Sequence, residues 1–184
     1  FLQKEYFNLK IISLFLSKHK RKPLFVDGNF LGVYNRKNQA RERGGAMKTL
    51  VIEREAVKNN IGVIKERAGE AVIYAVLTGD GQGAGLVELA RLLREEGIGR
   101  FAVSEPAEAA ALRRAGFVEE EILMLRPTVD RAELEQLIDL NVVCTVGSAD
   151  TGMALNGAAE ARSTVVEAHI QIDTGMGFER LVRT

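Results

Sequence analysis

Along residues 47–184 the hydrophobic positions switch between short continuous apolar runs and helical spacing of three and four. The segment 49–53 (TLVIE) reads as a short strand. Val57, Ile61, Ile64 and Ala68 then share one face of a helix that Gly69 ends. The run 71–77 (AVIYAVL) is too short and too β-rich for a helix, so it predicts a buried strand. A glycine-rich loop at 79–85 and a helix over 86–96 follow, with Leu86, Leu89, Ala90 and Leu93 on one face. The cycle repeats with a strand at 100–104, a helix opened by Ser104 and Pro106 and running to Ala115, and Gly116 where a left-handed cap is wanted. A strand at 122–125 precedes a helix in which Asp130 and Glu133 form a capping box and Leu134, Leu137 and Ile138 face inward. Strands at 141–146 and 164–172 flank a last helix starting near Ser148, which makes five core strands after the first short one.

Strands and helices alternating at these lengths give parallel βαβ units with right-handed crossovers, so the fold class is α/β. Five units fit either an open doubly wound sheet or the first part of an eight-fold barrel, which in full needs about 250 residues. The 138 residues from Met47 to Thr184 would make a partial TIM-type barrel. Its exposed strand edges would invite pairing with another chain, including a second copy.

Composition separates this body from what precedes it. The net charge of zero hides ten Lys/Arg against three acidic residues over 1–46, and 15 against 22 over 47–184. Residues 1–46 keep no sustained period and end in Gly44-Gly45-Ala46, so they are expected to be a poorly ordered basic extension joined to a folded unit at 47–184. The cluster Lys18 to Lys22 reads as a solvated tail, and neither nucleic acid nor a membrane is expected as a partner. No apolar run approaches the roughly 18 to 20 residues of a spanning helix. Lys10 interrupts the apolar stretch near the start and no small-residue cleavage site follows, so a signal peptide is not expected. One cysteine, Cys144, and two histidines, His19 and His169, leave no internal disulfide and no clustered zinc site. The expected compartment is the cytoplasm, and Cys144 within its apolar strand reads as an inert core thiol.

Two segments could carry chemistry. The loop 79–85 follows a buried strand and opens a helix, where backbone N–H groups and the helix dipole hold phosphates. Its glycines fall at 79, 81, 83 and 85, and Glu105 stands 20 residues after Gly85, where a ribose-binding acid would be expected. The same glycines could merely make a tight turn. In 169–177 (HIQIDTGMG) a period of two puts His169, Gln171 and Asp173 on one strand face, with the turn Thr174 to Gly177 beyond its C-terminal end, the ligand face of parallel α/β folds. His169 could equally be a packed, hydrogen-bonded residue, and Asp173 a turn cap.

Taken in order, REAVKNNIGVIKE, VIYAVLTGDGQGAG, RFAVSEPAEAAALRRAG, EILML, CTV and HIQIDTGMG resemble the N-terminal domain of the pyridoxal-phosphate-dependent alanine racemases over about 50–177. In that family the second segment reads K-A-[DN]-A-Y-G-x-G and the last H-x-K-x-D-T-G-M-x-R. The resemblance implies a (β/α) barrel with pyridoxal phosphate at its mouth and a small amino acid as substrate. A lysine bonds the cofactor covalently and exchanges one α-proton, while a tyrosine of the partner subunit's later domain serves the opposite face. The cofactor ring absorbs the α-carbanion's charge, and two bases on opposite faces let D and L forms interconvert.

The sequence departs from the family at decisive positions. Thr78 takes the lysine position, and its hydroxyl cannot form an imine or abstract the proton. Gln82 takes the place of the tyrosine that contacts the cofactor phosphate, and Ala84 that of a frequent histidine. Gln171 replaces a lysine and Phe178 an arginine, whereas His169, which in the family lies against the cofactor ring, Asp173, Thr174, Gly175 and Met176 remain. Cofactor binding is therefore expected to be non-covalent at best, through Gln82 and His169, with negligible racemase activity. The family's remaining strands and second catalytic base lie beyond the matched region, so a truncated barrel is expected. A non-catalytic binding or interaction module and a nucleotide-binding open α/β domain stay as alternatives.

Overall fold

In the computed structural model, residues 10–12, 25–26, 29–30 and 52–172 are described. Three short strands come first: β1 (Lys10–Ile12), then β2 (Phe25–Val26) and β3 (Asn29–Phe30), which form an antiparallel pair. The body then runs α1 (Arg54–Ala68), β4 (Ile73–Val76), a single turn α2 (Thr78–Gln82), α3 (Leu86–Glu95), β5 (Arg100–Val103) and α4 (Pro106–Arg114). It continues with β6 (Glu121–Met124), α5 (Arg131–Asp139), β7 (Cys144–Val146), α6 (Ala149–Ala161) and β8 (Ala168–Ile170). The expectations for the rest of 1–46, for a strand at 49–51 and for the segment from Asp173 onward lie outside the described residues. Ile52 and Glu53 are not in a strand and lead directly into α1.

Four strands pair in the order β1-β4-β5-β6, all in parallel; a bridge from Leu123 to Val143 carries the sheet on to β7, which pairs in parallel with β8. β4, β5 and β6 are buried on both faces, as their near-continuous apolar runs require. Outward-pointing Ala75, Leu77, Phe101, Val103, Ile122, Met124 and Cys144 pack under the helices with Leu89, Leu93, Leu112, Leu134, Leu137 and Leu155. Inward-pointing Tyr74, Val76, Ala102, Leu123 and Val143 form a second cluster.

The inner face decides between the two architectures the sequence allowed. In a flat sheet β4 and β8, four strand steps apart, would be about 19 Å from one another. Yet the rings of Tyr74 on β4 and His169 on β8 meet edge to face at 6.0 Å between centroids. Extending the observed registers from Tyr74 leads through Arg100, Glu121 and Asn141 to Val165, whereas the residue that Tyr74 meets is His169, four further along β8. A stagger of one residue per strand is that of an eight-stranded barrel with a shear of 8. The sheet is thus curled as part of a TIM-type barrel, and the open doubly wound alternative is set aside.

Three local expectations shift. Glu105, not Ser104, is the N-cap of α4. The Asp130 side chain caps α5 by accepting from Glu133 N–H at 2.9 Å, but Glu133 turns to Arg126 instead of back to the cap. β8 covers only Ala168–Ile170 of the strand expected at 164–172, because β7 offers just three residues as ladder partners, and Val165 stands 97% exposed.

Candidate functional site at the barrel mouth

β4 delivers Thr78 to the C-terminal end of the barrel. There the backbone turns left-handed over four residues, with φ of 65° at Gly79, 56° at Asp80, 61° at Gly81 and 58° at Gln82. Glycine accepts this conformation without penalty, which accounts for Gly79 and Gly81, whereas Asp80 and Gln82 must be held in it. Asp80 is held by its own side chain, whose Oδ1 accepts the N–H of Leu86 at the start of α3 at 2.9 Å. The turn places Thr78, which is half-buried, and Gln82 on one short stretch.

Five of the backbone donors that would make this loop a phosphate cradle are already engaged. Gly81 N–H donates to Leu77 O, Gly83 N–H to Gly79 O and Asp80 O, Ala84 N–H to Gly81 O, and Gly85 N–H to Asp80 O. Gly79 N–H donates to Glu108 Oε1 at 2.7 Å. The acid expected to bind ribose, Glu105, pairs with Arg126 at 3.3 Å. The dinucleotide expectation is corrected on both counts.

His169 is not brought to Thr78. It meets Tyr74 inside β4, whereas Thr78 opens the turn beyond the C-terminal end of that strand, four residues after Tyr74. His169 therefore belongs to the lower wall with Glu121, whose carboxylate accepts from the Tyr74 hydroxyl and from Arg100 Nε at 2.9 Å. Burial holds the Glu121 carboxyl above its ordinary range; the His169 charge pulls it down and Glu167 adds to the rise. Two residues beyond His169, the buried Oε1 of Gln171 has no hydrogen-bond partner. Cys144 is buried, and burial pushes its thiol up to about 11, which keeps it protonated at neutral pH.

Two residues that sequence reasoning did not single out organise the mouth. Glu108 accepts Gly79 N–H as above and, through Oε2, Ser104 N–H at 3.1 Å and Glu105 N–H at 3.2 Å. Arg126 donates to Ser104 O at 3.3 Å and to Glu133 at 3.0 Å. The E-x-x-E spacing of Glu105 and Glu108 carried a local capping signal, but the reach to Gly79, 29 residues away, has no signature in spacing. Among the described residues the lysines are Lys58 and Lys65 on α1, and Lys10, whose backbone pairs with Ile73 at the end of β4 away from Thr78. A groove of about 530 Å³ opens at that opposite end, lined by Lys65, Glu70, Arg100, Glu119 and Glu121 among others, and includes neither Thr78 nor His169.

A partial parallel barrel with a glycine-rich turn after one strand and a histidine on the wall opposite defines a class of (β/α) barrel proteins. Comparison with known proteins names the family: residues 52–181 match the model of the alanine racemase N-terminal domain, and the chain belongs to that family. It is 35% identical over 127 residues to alanine racemase of Desulforamulus reducens, covering 68% of this chain and 34% of the relative. It is 27% identical over 145 residues to that of Borreliella burgdorferi, covering 78% and 37%. Among solved structures, alanine racemase from E. faecalis superposes with a TM-score of 0.62 at 32% identity, covering 69% of this chain and 34% of that one. A histidine racemase from Leuconostoc mesenteroides superposes at 0.63 and 26%, covering 68% and 33%. The chain thus spans about a third of the length of the relatives it matches. The family's N-terminal domain is a TIM-type barrel, and the family depends on pyridoxal phosphate. No helix of the described residues is long and apolar enough to cross a membrane.

Proposed function

We propose that this chain is an alanine-racemase-like protein that keeps the barrel mouth but does not racemise amino acids by the lysine-dependent route. One observation carries the reading: Thr78, at the position the resemblance gives to the family's lysine, offers a hydroxyl in place of an amine. An oxygen cannot form the imine that holds pyridoxal phosphate, so the residues present do not fit a covalently held cofactor, and no proton transfer is routed through one here. Losing such a nucleophile typically removes several orders of magnitude of rate. The remaining role is binding of a small amino-acid-like ligand without covalent capture, with Gln82 on the turn as a contact. His169, well below Thr78, does not share that contact.

Self-association is the second part of the reading. Among the described residues β8 pairs only with β7, and Val165, Ile170 and Ile172 around it are 97%, 80% and 78% exposed. An open edge with apolar neighbours favours pairing with a second copy. The unpaired, buried Cys144 suits a reducing compartment, and we assign the protein to the cytoplasm.

The test is to incubate the purified chain with pyridoxal phosphate and L-alanine and measure D-alanine. The expected yield equals that of pyridoxal phosphate in buffer, and turnover clearly above that level overturns the reading. Thr78→Lys is expected to gain a new visible absorbance with pyridoxal phosphate that the parent chain lacks.

A further inference from the structure

We propose that Glu108 is a positioning residue for the mouth: its carboxylate bridges two strand ends, holds the turn Thr78–Gln82 left-handed and so fixes where Thr78 stands. The inference deepens the reading above and rests on it in taking Thr78 to line the ligand site.

Glu108 sits in the first turn of α4, a place where a carboxylate ordinarily answers its own helix's amides. Here only one oxygen does so, Oε2 accepting Ser104 and Glu105 N–H, while Oε1 reaches across to β4 and accepts Gly79 N–H at 2.7 Å, the shortest of the three bonds. Gly79 is the first left-handed residue after Thr78. At the exit of the turn Asp80 Oδ1 accepts Leu86 N–H. The turn is pinned at both ends by carboxylates, one local and one distant, and between them lie two non-glycine residues, Asp80 and Gln82, in a backbone region that L-residues avoid. Without the distant pin, Gly79 N–H is free to take a water in place of Glu108, and the chain leaving Thr78 loses the contact that sets its direction. Reach and charge can be separated. Aspartate keeps the charge and is one methylene shorter, so it can serve Ser104 and Glu105 but not Gly79. Glutamine keeps the reach but has a single acceptor oxygen.

Backbone amide exchange, followed by NMR on the full chain, tests this. In Glu108→Asp, amides 79–83 are expected to exchange at least about tenfold faster, while those of the α4 first turn and of Phe101 and Ile122 stay as in the parent. Glu108→Gln is expected between Asp and parent. A residue that merely capped α4 would give the reverse pattern, and unchanged exchange at 79–83 in Glu108→Asp overturns the proposal. A second arm uses Thr78→Lys with pyridoxal phosphate as the probe, where adding Glu108→Asp is expected to slow the new absorbance about tenfold through misplacement of the amine. If Thr78→Lys gains the absorbance and Glu108→Asp leaves its rate unchanged, the positioning role fails and the pocket reading stands. If Thr78→Lys gains none while the exchange pattern separates as expected, the pocket reading fails and Glu108 keeps its hold on the turn.

Discussion

The two ends of the curled sheet solve the same problem with opposite charge. At the floor, where helices end and strands begin, backbone carbonyls are left over, and Arg113 answers them. Its guanidinium donates to Phe117 O at 2.6 Å, Asn141 O at 2.7 Å, and Leu140 O and Glu120 O at 2.8 Å. Lys65 likewise donates to Glu96 O behind α3. At the mouth, where helices begin, amides are left over, and oxygens answer them: Glu108 at α4, Asp130 at α5, Asp80 at α3, and Ser148 Oγ, which accepts Thr151 N–H at 3.3 Å at α6. This follows from the unsatisfied groups of helix ends and the dipole that goes with them. The mouth is therefore not a phosphate cradle although it has a cradle's glycines: the chain has supplied its own acceptors.

The largest effect expected from breaking this symmetry is at the floor. Arg113→Ala removes one group that ties the end of α4 to the entries of β6 and β7, and leaves several half-buried carbonyls without a donor. Burial already lowers the proton affinity of Arg113, against the pull of Glu120 and Glu119, so the side chain stays for its bonds to carbonyls and not for exposure to water. A loss of about 3 kcal/mol is expected in urea titration. Arg113→Lys should recover less than half, since an ammonium cannot fan out over carbonyls spread from residue 117 to 141. Full recovery by lysine would mean that charge at the floor, and not the bonding pattern, is what matters.

At the mouth the effect of Asp130 is smaller, because it caps α5 alone. Asp130→Ala is expected to cost about 1 kcal/mol in the same titration, with the loss of amide protection confined to the first turn of α5. A loss as large as that of Arg113→Ala would end the distinction between a floor where one side chain serves several carbonyls and a mouth where the acceptors are divided among several side chains.

The same contrast explains what was legible in the sequence. Asp130, Ser148 and the inward faces of α3 and α5 could be read because capping and helical periodicity act over three or four residues. The alternation of strand and helix gave the class, but not the choice between open sheet and barrel. That choice rests on the one-residue stagger per strand that brings Tyr74 to His169, and stagger is set by crossover lengths and packing across 95 residues. For the same reason His169 was readable as an inward residue and not as one far below Thr78. Arg113 looks like any basic residue in a helix's last turn until the loops at 117–120 and 140–141 close over it. Glu108 carries a capping signal in its spacing from Glu105, whereas its reach to Gly79 has none.

The smallest expected effect is the sharpest test of the opposed charges, because it depends on sign. At the floor, burial holds Glu121 above the ordinary carboxyl value of 4.5, so the fold favours its protonated form. The stability it contributes is full below 4.5 and is lost as pH rises through the folded value. At the mouth, the hydrogen bond from Arg126, helped by Thr128, holds Glu133 below 4.5, so the fold favours its ionised form. That contribution is full above 4.5 and is lost as pH falls through the folded value. Each carboxylate is 30% exposed, so each effect should stay under about 1 kcal/mol. Measured as melting temperature against pH, the parent should lose ground to Glu121→Gln on the alkaline side of 4.5 and to Glu133→Gln on the acid side. Two differences of the same sign would overturn the opposed preferences of the two ends, since a floor that prefers Glu121 neutral and a mouth that prefers Glu133 charged cannot respond to acid alike.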